Sequence, residues 1–186
     1  KHYHFLRPGV ALVTLPYFRT HELFAIGEAL NVARPILPGG EYCLDVLVAI
    51  FQEYEKIFQA RGIKQRILMT HHLFGRWEAS GSEQGLSLSG LETIPLNFVE
   101  KYFDAVMLGH IHRPMAVAKN KLQAAYSGAP IPMRFSEVNI EKSILLWDCH
   151  PEQAPTYQKI TIPCFRELFS VETTPTNLDQ EIKEIC

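Results

Sequence analysis

The sequence predicts a mixed α/β domain. Short apolar runs that end at a turn or a histidine alternate with a long amphipathic segment, and histidines stand at the exits of two of those runs. The later half of the chain breaks into short strand-like stretches separated by turn residues. With 186 residues, 47% hydrophobic and 20% charged, the chain can bury a sizeable core.

The elements follow in order. Val10 to Leu15 is a short apolar run closed by Pro16, which suits a buried strand. Arg34 to Gly40 is a turn-rich connector. From Glu41 to about Ala60, apolar residues at Leu44, Leu47, Val48, Ile50, Phe51, Tyr54 and Phe58 keep helical spacing, and Gly62 ends the pattern. Arg66 to Thr70 is a second apolar run and opens directly onto His71-His72. The polar, Gly/Ser-rich stretch from Gly75 to Gly90 is too long for a tight turn and predicts a working loop. A short helix is expected over Leu96 to Tyr102, and a third buried strand over Asp104 to Gly109, opening onto His110-Ile111-His112. Leu122 to Tyr126, Ser143 to Trp147 and Tyr157 to Ile162 read as strands of an antiparallel kind. A polar joint, Cys149 to Pro155, divides residues 1–150 from 151–186. The tail from Phe165, with a helix start at Thr176 to Ile182, reads as the beginning of a second small domain.

Several function classes lose support from composition alone. Eighteen Lys and Arg against twenty Asp and Glu give a net charge of −2, so bulk electrostatics advertise neither a nucleic-acid nor a membrane partner. Any phosphate handling must come from a local site. No run of about 18 apolar residues is present to span a membrane. The chain opens at Lys1 with no initiator Met and no basic-then-apolar leader, and reads as an excised piece without a signal peptide. Cys43, Cys149, Cys164 and Cys186 are too dispersed for a metal knuckle or disulfide framework, so reduced thiols and a cytoplasmic location are expected. Walker, nucleophile-elbow and zincin motifs are all absent from the sequence.

The sharpest motif is Gly109-His110-Ile111-His112-Arg113-Pro114. In extended backbone, residues two apart project to one side, so both imidazoles point together while Ile111 turns into packing. Imidazole nitrogens suit Mn, Fe, Co, Ni or Zn, and the pair can serve one metal or two. The same spacing also suits two ordinary polar residues at alternate strand positions. Thr70-His71-His72 repeats the arrangement at another strand exit, and only one of the two neighbours can easily face a given site. On the plainer reading both are loop-edge histidines. Tyr126 to Glu137 forms a third cluster, in which Gly128, Pro130 and Pro132 fix the backbone path near Ser127 and Arg134. That cluster fits either a phosphate contact or a rigid turn. A histidine-triad hydrolase would want a third alternating histidine where Pro114 stands.

In order, Ile67 to Leu73, Phe103 to Pro114 and Tyr126 to Glu137 resemble the SbcD-type DNA nuclease subunits of the calcineurin-like metallophosphoesterases. Leu15-Pro16-Tyr17 and Ile160 to Arg166 extend the likeness over most of the chain. The resemblance implies a partial calcineurin-like sandwich of mixed sheets flanked by helices, with the start of a small α+β capping region. It implies two-metal phosphodiester hydrolysis at DNA ends in repair and recombination, with two divalent ions, usually manganese. His72 and His110 would ligate one metal and His112 the other, with His71 as a neighbour. Arg113 and Arg134 are weaker candidates for phosphate contact. An SbcC-type ATPase subunit is the implied partner, and a homodimer of the nuclease subunit the implied assembly.

The family's Asp-x-His, Gly-Asp and Asn-His-Asp motifs do not occur before Leu15. The sequence therefore matches the C-terminal part of the catalytic domain. Because Mn²⁺ favours oxygen ligands, three imidazoles without a carboxylate hold it poorly, and little nuclease activity is expected of this chain alone. The alternatives are a metallophosphoesterase acting on small phosphodiesters or phosphoproteins, and a non-catalytic fragment that docks the ATPase.

Overall fold

The computed structural model describes residues 2–78, 93–119 and 121–164, with the isolated positions 168, 174, 177, 182 and 183. Most of the expected Gly75–Gly90 loop and nearly all of the expected capping tail, including the Thr176–Ile182 helix start, lie outside the described residues.

The architecture is α/β. A six-stranded sheet contains β1 (Tyr3–Arg7), β2 (Val10–Leu15), β3 (Gln65–Thr70), β4 (Ala105–Leu108), β5 (Met115–Lys119) and β6 (Gln123–Tyr126), in the order β1-β2-β3-β4-β6-β5. Strands β2, β3, β4 and β6 run parallel, while β1 and β5 close the two edges antiparallel. Two helices, α1 (Thr20–Ala29) and α2 (Gly40–Ala60), occupy the β2–β3 crossover. A separate antiparallel hairpin pairs β7 (Ser143–Asp148) with β8 (Thr156–Thr161), so the expected joint at 149–155 is the loop between these strands.

Alternation along the strands sorts the core. Ala11, Val13, Leu15, Leu68, Val106, Leu108, Ala124 and Tyr126 share a buried cluster with the helices. Tyr42, Cys43, Val46, Leu47, Ile50, Phe51 and Phe58 form the buried stripe of α2 in that cluster. On the opposite face Val10, Ile67 and Ala105 pack with Leu12, Met107 and Trp147 of β7. Trp147 packs at 4.6 Å on the ring of Tyr157 in β8. The hairpin loop is tied to the sheet where Gln65 Nε2 donates to the Gln153 carbonyl (2.9 Å) and Lys64 pairs with Glu152 (2.6 Å).

Four features depart from the sequence expectation. The sheet gains β1 and β5, α1 precedes the long helix, the 96–102 helix contracts to a 3-10 turn at Leu96–Phe98, and β6 is not antiparallel throughout. β6 pairs parallel with β4 and antiparallel only with β5, so it prolongs the parallel centre of the sheet. In α1, Gly27 weakens the helical signal and serves packing. A Cβ there would lie 2.6 Å from Val46 Cγ2, so only glycine allows α1 to approach α2 this closely.

Candidate functional site

Four parallel strands end at one edge of the sheet, where an α/β fold collects its ligands. β3 and β4 are neighbours in register, with Thr70 opposite Leu108, so the two histidine-bearing exits lie side by side. The Gly109 N–H donates to the Thr70 carbonyl (3.0 Å) and carries the pairing one residue further. Immediately afterwards His110 adopts φ +78°, a left-handed conformation that costs an L-residue roughly 1–2 kcal/mol. Such strain persists only where surrounding contacts fix it, and it concentrates at working sites.

The side chains that meet here are His71 and His110. His71 Nε2 lies 3.3 Å from His110 Nδ1, with the rings edge to face at 5.1 Å. Gly109 makes room for this pair, since a Cβ there would sit 2.8 Å from His71 Nδ1. Burial lowers the pKa of His71, and repulsion from His110 and His112 lowers it further. A cleft of about 530 Å³ runs from His71 and Gly109 past Met69, Met107 and Ser127 to Trp147 of the hairpin.

His72 goes elsewhere. It is 2% exposed, tilted against Tyr17 at 5.0 Å and stacked on Phe18 at 6.0 Å. Its Nε2 accepts the Phe18 backbone N–H at 3.0 Å. Burial pushes its pKa down to about 4, which keeps the ring neutral and able to accept that bond. Of the three expected ligands, His110 meets His71, His112 meets Glu137, and His72 is turned into packing. His71, expected only as a neighbour, is the histidine of this strand exit that lies against His110.

His112 is held from behind by Glu137, a residue for which the sequence pattern suggests no role. His112 Nδ1 lies 2.8 Å from Oε1 of Glu137, a carboxylate whose side chain is wholly buried. Glu137 Oε2 accepts from Lys142 Nζ (2.6 Å) and from the Met133 backbone N–H (3.2 Å). The segment from Ser127 to Glu137 straps the His110–Pro114 loop, because the Ala129 N–H donates to the His112 carbonyl at 3.1 Å. Gly128 has φ +80° and passes so near Pro114 that a Cβ would lie 2.6 Å from its Cγ. Tyr126 anchors the start of the strap, its hydroxyl accepting the Phe74 N–H (2.8 Å) and donating to the Phe74 carbonyl (3.0 Å). Arg113 and Arg134 are both exposed.

Among the described residues, no group of three or more His, Cys, Asp or Glu is placed to hold a metal ion. The rim offers imidazoles, and the buried carboxylate behind it is committed to His112, Lys142 and Met133. Among the described residues, no helix is long and apolar enough to cross a membrane.

No protein-family model matches the chain. Three curated bacterial proteins, each named as the D subunit of the SbcCD nuclease, do match it. The Staphylococcus epidermidis protein is 24% identical over 186 residues, covering 89% of this chain and 49% of its own length. That of Bacillus subtilis is 27% identical over 112 residues, 60% of this chain and 28% of its own length. The Rhodobacter capsulatus protein is 29% identical over 89 residues, 48% of this chain and 22% of its own length. The chain therefore spans about half, or less, of the curated relatives it matches. A crystal structure from Staphylococcus aureus described as a 5′-nucleotidase covers 98% of this chain at 13% identity, with a TM-score of 0.40, too low to define a shared fold. By sequence, the chain is similar to curated proteins named as the D subunit of the SbcCD nuclease.

Proposed function

We propose that this chain is part of a metal-dependent DNA nuclease subunit that hydrolyses phosphodiester bonds at DNA ends and works with an SbcC-type ATPase in the cytoplasm. One observation carries the reading: two separate motif segments meet at one sheet edge, where ring nitrogens of His71 and His110 lie 3.3 Å apart and His112 follows two residues along the same loop. The relatives' printed name supports a nuclease that acts as one subunit of a complex.

Within that function His110 and His112, with His71 in place of His72, are the imidazoles offered to divalent ions, with Mn²⁺ the ion the family resemblance implies. The described residues do not fit a complete site for so hard a cation, because they supply nitrogen and no uncommitted carboxylate at the rim. This chain's residues accordingly orient rim nitrogens and present Arg113 and Arg134 as exposed cations for phosphate oxygens. By itself the chain turns over little DNA, and dimerisation belongs to the whole nuclease subunit.

The test is Mn²⁺-dependent hydrolysis of linear duplex DNA by the chain alone and by the chain joined to the unmatched remainder of the Staphylococcus epidermidis relative. Activity only in the joined protein supports the reading. Robust turnover by the chain alone, or none in a folded joined protein, overturns it.

A further inference from the structure

We propose that Glu137 and Lys142 form a buried positioning device that fixes the tautomer and orientation of His112. The functional consequence rests on the proposed role of the histidine rim, but the device itself stands on geometry.

The side chain of Glu137 is fully buried and that of Lys142 is 4% exposed, so this ion pair is sealed from water. Removing either partner would leave the other as an uncompensated buried charge, a costly arrangement that makes the pair a fixed internal element rather than a surface contact. Both carboxylate oxygens are used. Oε2 takes Lys142 Nζ and the Met133 N–H, which orients the carboxylate plane and leaves Oε1 directed at His112. A carboxylate accepts hydrogen bonds and cannot donate one, so the 2.8 Å contact requires the proton on Nδ1 of His112. In the neutral ring the lone pair then resides on Nε2, the nitrogen that points away from Glu137. Lys142 already balances the charge of Glu137, so Glu137 can direct the imidazole without a net negative charge behind it.

The backbone reinforces the same choice. The Ala129 N–H holds the His112 carbonyl, and Gly128 lets the strap close against Pro114. His112 is therefore gripped at main chain and ring by one segment, residues 127–137. Fixing a ring nitrogen through a hydrogen bond at the opposite nitrogen is a general way to aim an imidazole lone pair. Glu137 and Lys142 act through His112 and are positioning residues.

Long-range ¹H–¹⁵N correlation spectra of the full chain read the protonation of each His112 ring nitrogen directly, with His112→Gln giving the assignment. In the unaltered protein at pH above the histidine range, one tautomer with Nδ1 protonated is expected. Glu137→Ala should lose that single form and give mixed tautomers. A dominant Nε2-protonated form in the unaltered protein overturns the proposal, whether or not any variant folds. So does an unchanged tautomer in folded Glu137→Ala. None of these readings uses nuclease activity, so failure of the device and failure of the proposed function remain separate results.

Discussion

Replacing Tyr126 with phenylalanine tests how the strap is anchored. The Tyr126 side chain is completely buried, and its hydroxyl satisfies both backbone groups of Phe74, itself 0% exposed. The substitution keeps the ring and deletes one donor and one acceptor, leaving the Phe74 N–H and carbonyl without their partner. Allowing roughly 1–2 kcal/mol for each buried group so orphaned, the variant should lose about 2–4 kcal/mol at neutral pH. The same hydroxyl carries a pH signature, because burial raises its pKa from 10.0 to about 12. The unfolded chain releases this proton near pH 10 while the native state holds it, so the contribution is complete below pH 10 and is lost as pH rises through 12. Two pKa units correspond to about 3 kcal/mol. Urea unfolding at pH 7 and through the alkaline range should show the gap between the unaltered protein and the Tyr126→Phe variant shrinking by about that amount. A loss below about 1 kcal/mol at pH 7, or a gap that does not narrow in alkali, would refute the reasoning.

Two further substitutions probe the site's surroundings. His72→Leu strands the Phe18 N–H and should cost about 1–3 kcal/mol in denaturant unfolding, whereas His72→Gln supplies an amide oxygen and should recover part of the loss; equal costs would argue against the Phe18 bond. Gly128→Ala forces a side chain into a left-handed conformation and against Pro114, for a loss of at least about 1 kcal/mol and displaced His112 resonances. An unchanged stability would show that the strap does not pass Pro114 this closely.

The parts of the fold legible in the sequence are those with their own periodicity. β2, β3, β4 and α2 carry apolar patterns that survive without knowledge of neighbours, and the histidine exits follow from where those strands stop. β1 is hidden because only Tyr3 packs while His4, Phe5, Leu6 and Arg7 are exposed. β6 has the same short apolar run whether it pairs parallel or antiparallel, and only its place beside β4 decides. The choice between His71 and His72 depends on a partner 54 residues upstream, the Phe18 N–H, that no local pattern announces. Glu137 belongs to a motif visible in the sequence, yet its role arises from contacts with His112, 25 residues earlier, and with Lys142.

The proposed function assigns the metal-facing imidazoles to His71, His110 and His112 and a packing role to His72. Mn²⁺-dependent cleavage of linear duplex DNA by the protein joined to its relative's remainder tests it most directly, comparing His71→Asn, His110→Asn and His112→Asn with His72→Gln. Each rim substitution should lower the rate about 100-fold or more, and folded His72→Gln should stay within about threefold of the unaltered protein. Full activity in His71→Asn together with its loss in folded His72→Gln would contradict the account.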